Sequence, residues 1–193
     1  MNLLSKFVRD LPLFFAIALL TIFLLSIIAL YLPPPEETIS EFREAGKELK
    51  EMINISSFTI RAIMIFLNNA RVNTMLAVPF LSIIMYPTMV IATAWTLRIA
   101  LLEISNNTAA LQESLYQAII VLLISPHTYL EMLSYSITFT CSNKLMIALL
   151  RDLRKRKRIA EDIILYYVLA IAISFSLLFT AAFVESYLIS ISE

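Results

Sequence analysis

The sequence predicts an all-α integral membrane protein: about five transmembrane helices, a re-entrant or interfacial half-helix, and an extracytoplasmic amphipathic helix. Three observations predict it. Apolar residues make up 60% of the chain, above the roughly 45 to 50% of soluble domains. They fall in blocks about as long as a bilayer is thick, roughly 20 residues each. The charges sum to zero but are sorted into clusters between those blocks. Residues 1–193 are therefore expected to form a single membrane domain.

The first span is expected at 11–32, rich in Leu, Ile, Phe and Ala, with Pro12 in its first turn, where a missing amide hydrogen costs little. It is too long, and lacks the small-residue cleavage site, for a cleaved signal peptide. Pro33-Pro34-Pro35 ends it, because consecutive prolines cannot continue a helix. Thr38 and Glu41 then have capping-box spacing, and Ile39, Phe42, Gly46, Leu49 and Ile53 form a stripe among acidic and basic residues. This predicts an amphipathic helix over 38–55, outside the bilayer core.

Residues 58–70 are apolar at first but too short to span, and they carry Arg61 before Asn68, Asn69 and Arg71. A half-helix is expected there, since a polar break at membrane depth needs protein or a cavity to cover it. Spans are expected at 75–97, with Trp95 in the aromatic belt and Arg98 snorkelling at its end, then at 109–125, 128–150 and 163–187. Between the last two, the loop 151–158 holds six basic residues in eight. By the positive-inside rule that loop is cytoplasmic. The N-terminus and Arg98 then fall inside, whereas residues 33–57, the Pro126-His127 corner and the C-terminus fall outside. Topogenesis accounts for the basic loop, so no nucleic-acid partner is expected. The expected localisation is the cell membrane.

The costly residues are those buried at polar breaks. His127 and Glu131 are spaced i, i+4 and share a helical face. Asn68 and Asn69 offer amides that could meet that face, and Arg71 is a reasonable partner for Glu131 or Glu113. Two breaks in apolar sequence each leave backbone groups unpaired, so one is expected to cover the other, clustering Asn68, Asn69, His127 and Glu131. The plainer account of this cluster is a buried polar network in which the Asn side chains answer backbone groups freed at Pro126. The functional account is a site for an ion, a proton or a small polar ligand at broken helices.

Catalysis is poorly provided for. One His and one carboxylate fall short of the three protein ligands of a catalytic metal, so no metal is expected. With one glycine in the chain there is neither a Gly-x-Ser-x-Gly element nor a phosphate-binding loop; no cofactor is expected, and the chain does not read as an enzyme. Cys141 reads as a small buried thiol. Asn54-Ile55-Ser56 and Asn106-Asn107-Thr108 both fit the glycosylation sequon, and in this topology only Asn54 lies outside.

The segments Phe66-Leu67-Asn68-Asn69-Ala70-Arg71-Val72 and Ile124-Ser125-Pro126-His127-Thr128-Tyr129-Leu130-Glu131 together resemble the stage II sporulation protein M family of multi-pass membrane proteins. Family members usually carry Gly after the Pro-His pair and further glycines in the preceding spans; here those places hold Thr128, Ala77, Ser82 and Thr88. The resemblance implies an integral membrane protein of the cell envelope, which in sporulating bacteria joins cell-wall-degrading partners during engulfment. A scaffold or accessory subunit is therefore the favoured expectation. Its partners would be the lipid bilayer, a second copy in a homodimer, and unidentified membrane or envelope proteins. A transporter or channel using the polar centre, and an intramembrane enzyme, are the alternatives.

Overall fold

Prolines set half of the helix breaks. The computed structural model describes residues 3–55, 57–103, 105, 107–155 and 161–192. Among them are seven helices and no strand: α1 (Leu3–Tyr31), α2 (Glu36–Ile55), α3 (Phe58–Ala77), α4 (Leu81–Leu102), α5 (Thr108–Ile124), α6 (Pro126–Lys155) and α7 (Glu161–Ser192). Pro33–Pro35 separate α1 from α2, Pro79 lies in the break between α3 and α4, and Pro126 opens α6, where its fixed φ suits a first turn. Pro12 lies inside α1, which begins at Leu3 rather than at residue 11. Thr38 lies inside the first turn of α2, and its hydroxyl donates to Pro35 O at 2.8 Å. The expected capping box at Thr38 is not formed.

Helices α1, α4 and α7 are long and apolar enough to cross a membrane; α5 and α6 pass that test only as a pair, bent by 74°. Side-chain contacts fix which helix ends lie together. Arg98 donates to Ala29 O at 2.8 Å and Leu30 O at 2.9 Å, and Arg43 pairs with Glu103 at 2.9 Å. Ser186 Oγ donates to Phe58 O at 2.9 Å. One end of the bundle therefore gathers the C-terminal ends of α1, α4 and α7, the start of α3, and α2. At the other end Lys144 meets Asp10 at 2.5 Å, Lys6 approaches Asp162 to 4.0 Å, and Tyr167 donates to Ala77 O. Arg98 thus lies at the end opposite Lys6, not on the same side as the order of apolar blocks predicts.

Helix α6 forms the axis, packed against α7, α1, α3 and α4. Between Met132 and Ser142 only Leu133 and Phe139 are less than fully buried. The buried set includes Ser134, Ser136, Thr138, Thr140 and Ser142. A helix enclosed by other helices need not present apolar side chains to lipid. Small residues allow the close approach: Ala94, Ala170, Ser82 and Ser174 are wholly buried, in a chain whose one glycine, Gly46, lies in α2.

Four expected segment boundaries need correction. The half-helix at 58–70 is a 20-residue helix reaching Ala77, because the amides of Asn69 and Asn73 find partners on neighbouring helices and so do not break it. The span expected at 75–97 instead begins at Leu81: Pro79 cannot donate to a helical ladder, and Phe80 turns the chain at φ 72°. The helix expected at 128–150 runs from Pro126 to Lys155. Arg151 to Lys155 of the expected basic loop are helical, since Lys and Arg are good helix formers. The rest of that loop lies outside the described residues.

Candidate functional site

The polar interior is built where α3, α6 and α7 meet. Asn69 of α3 is half-buried and donates through Nδ2 to Glu131 Oε1 of α6 at 2.5 Å. Tyr135, one turn along α6 from Glu131, is buried, and Glu185 of α7 is half-buried. A carboxylate in mid-membrane costs about 2.5 to 3.5 kcal/mol on insertion scales. The amide of Asn69 offsets part of that.

A second cluster shares the same three helices. Asn73, wholly buried, donates to Ser174 Oγ at 2.8 Å. Ser174 Oγ lies 2.7 Å from Ser134 Oγ and 2.7 Å from Thr138 Oγ1. It also lies 3.1 Å from Ser134 O. Asn73 Oδ1 has no hydrogen-bond partner. One serine hydroxyl of α7 therefore joins α3 to α6. Elsewhere in the interior Ser136 Oγ of α6 donates to Phe14 O of α1 at 2.9 Å, and Tyr86 of α4 shares a 2.6 Å hydrogen bond with Thr21 of α1.

The sequence-predicted residues divide. Asn69 and Glu131 come together, whereas Asn68 and Arg71 lie exposed on α3. Glu113 is exposed on α5. His127 is half-buried on α6, one turn before Glu131, and its Nδ1 has no hydrogen-bond partner. Asn54 belongs to the last turn of α2, but its side chain and Ser56 lie outside the described residues. Asn106 lies outside them too. Arg61 is buried near the start of α3.

The backbone groups freed at the helix breaks are answered by residues other than the Asn pair. At the α5–α6 corner Tyr129 donates to Leu123 O at 2.6 Å and Ser125 Oγ to Val121 O at 2.7 Å. At the α3–α4 break Tyr167 reaches Ala77 O. A tyrosine suits this task because its ring fills apolar space while its hydroxyl meets a carbonyl. Sequence reasoning misses these tyrosines, along with Asn73, Ser174 and Glu185. Glu185 carries a usable signal, being a carboxylate near the end of the last apolar block; the serines and tyrosines, mixed with many like them, carry none.

Among the described residues no group of three or more His, Cys, Asp and Glu side chains could hold a metal ion. Cys141 is free and buried. A family model described as stage II sporulation protein M matches residues 13–189, nearly the whole chain. No curated protein and no solved structure matches. The chain belongs to the stage II sporulation protein M family.

Proposed function

We propose that this member of the stage II sporulation protein M family is a non-enzymatic scaffold or accessory subunit of the cell envelope, crossing the membrane five times through α1, α3, α4, α6 and α7. The observation that carries the reading is the use made of the interior polar groups. Asn69, Asn73, Ser134, Thr138, Ser174 and Glu131 bond one another across α3, α6 and α7. These bonds tie helices together, which is the work of a rigid platform.

The shared helix ends support five crossings. Helix α3 starts at the end where α1 and α4 finish and stops at the end where α1 begins, and its 20 residues span about 30 Å at 1.5 Å each. Helix α6 runs the same way over 30 residues. In this arrangement α5 enters from the α2 end and bends back at Pro126 without crossing. The basic run at 151–158, with Lys6 and Arg9, orients that end to the cytoplasm. Helix α2 and the C-terminus are then extracytoplasmic, and Asn54 is a modification candidate on that side. Pairing with a second copy belongs to the reading: Phe15, Leu19, Phe23 and Ile27 form an exposed apolar stripe at i, i+4 spacing along α1.

Tagged protein at natural expression level, extracted in mild detergent, should run in an assembly with other envelope proteins. That assembly should survive Glu131→Gln. A second reading, an ion- or proton-binding centre, draws on the Glu131 carboxyl held by Asn69 between α3 and α6. A flux measured in proteoliposomes and abolished by Glu131→Gln would replace the scaffold with that reading.

A further inference from the structure

The basic end of the bundle is hollowed. A cavity of about 300 Å³ opens between the start of α1, the C-terminal part of α6 and the start of α7. This is the lower end of the size range of small-molecule sites. Four cations line it, Lys6, Arg9, Lys144 and Arg151, against two carboxylates, Asp10 and Asp162. Asp10 is already matched: Lys144 Nζ and Tyr166 OH both lie 2.5 Å from its Oδ2. Asp162 is largely exposed, at 77%, and reaches Lys6 only at 4.0 Å. Arg151 makes a loose 3.7 Å contact with its neighbour Asp152 and keeps over half its side chain exposed. With Asp152 counted, the four lining cations outnumber the nearby carboxylates by one, a balance that favours a small anion.

The walls narrow the chemistry of that anion. Ile147, Ala148 and Ile163 line the cavity beside the cations, which fits a charged group attached to an apolar body. The cavity lies at the flank of α1 and α7, two of the three helices apolar enough to cross a membrane, and the proposed topology puts that end at the cytoplasmic headgroups. Basic pockets between helices at such a level bind phosphate-bearing headgroups. Guanidinium groups such as Arg9 and Arg151 suit phosphate oxygens, and ammonium groups add point charge.

We propose that this cavity binds a phosphate ester, supplied either by an anionic phospholipid of the adjoining leaflet or by a soluble phosphorylated molecule. The site is separate from the Asn69–Glu131 centre, and neither its occupancy nor its test depends on the scaffold reading. Binding there would brace α1 against α6 and α7.

The test uses the full-length protein in a neutral maltoside detergent. Native mass spectrometry measures retention of phosphatidylglycerol against phosphatidylcholine, and thermal unfolding is followed with added inorganic phosphate. Native protein should hold one phosphatidylglycerol per chain in preference to phosphatidylcholine. Lys6→Gln/Arg151→Gln should bind it roughly thirtyfold more weakly, from the loss of two of the four cations. Lys47→Gln, at the opposite end of the bundle, should bind as the native protein does. If the double variant does not fold, Arg151→Gln alone should weaken binding about fivefold. Weak lipid retention combined with a phosphate-induced rise in unfolding temperature, absent from the double variant, would assign the site to a soluble phosphate ester. Equal retention of both lipids without a phosphate effect, or an equal loss in Lys47→Gln, would overturn the proposal.

Discussion

Replacing Ser174 with Ala tests whether the polar interior holds the helices together. Ser174 is wholly buried, and its hydroxyl accepts from Asn73 and meets Ser134 and Thr138. The substitution removes one oxygen, so the void it leaves is small and the effect is mainly polar. Ser134 and Thr138 can turn their hydroxyls to carbonyls of their own helix, as such residues do mid-helix. Asn73 cannot escape so easily, and a buried unsatisfied donor costs about 1 to 3 kcal/mol. Single interhelical hydrogen bonds in membranes average about 0.6 kcal/mol by double-mutant cycle. A destabilisation of about 1 to 2 kcal/mol is therefore expected for Ser174→Ala. Asn73→Leu removes the stranded donor, so the double variant should recover part of the loss, with a coupling of about 0.6 to 1.7 kcal/mol. Reversible unfolding in mixed micelles of graded denaturing detergent measures all three variants. A Ser174→Ala cost below about 0.3 kcal/mol, or strict additivity of the pair, would show that the network does not hold α3 to α7 and would remove the main support for the scaffold.

Other expectations follow from the same geometry. Glu131→Gln keeps an acceptor for Asn69 and removes a carboxyl from the bundle interior, so stability should hold or rise by about 1 kcal/mol; a loss above about 2 kcal/mol would mean the carboxylate itself is needed. His127→Ala should cost less than about 1 kcal/mol beyond lost packing, because Nδ1 has no bond to lose; a larger polar loss, seen as rescue by Gln, would point to an unrecognised partner. On a Cys141→Ser background, Glu44→Cys and Ala109→Cys should be labelled from one side of the membrane and Lys6→Cys and Leu153→Cys from the other. Labelling of Ala109→Cys together with Lys6→Cys would restore the span order expected from sequence. Light scattering in mild detergent should find a dimer that weakens in Phe15→Ala/Phe23→Ala; monomer at every concentration would remove the second copy.

Much of the fold was legible in sequence because lipid enforces it. Helices α1 and α7 face lipid over much of their surface, must be apolar there, and announce themselves by hydropathy. The amphipathic stripe of α2 was equally plain. Helices α3 and α6 were harder because their polar residues Asn69, Asn73, Ser134 and Thr138 turn to partners on neighbouring helices and so cost little. Hydropathy measures the cost of facing lipid and therefore undervalues a helix whose polar residues face protein. The Asn69–Glu131 contact was legible because both residues are rare in apolar sequence. The Ser174 hub was not, since serine is common in such helices and only the fold shows which hydroxyls converge.

Helices α3 and α5 both differ from the segments expected of them. Polar residues on α3 read as a break, and apolar residues on α5 read as a span; the structure places α3 along the full bundle and bends α5 from α6 by 74°. Helix α5 packs mainly against α1 and α4, burying Leu111, Leu115 and Ile119 and exposing Tyr116, Ile120 and Val121. Its far end is held by hydrogen bonds from Tyr129 and Ser125. An element with few tertiary contacts opens at lower free energy than the core. Tyr129→Phe removes the hydroxyl that answers Leu123 O, so hydrogen exchange in α5 should quicken while α6 stays protected. Equal quickening in both helices would show that the corner and the core unfold together, and that α5 is no more mobile than the helices it covers.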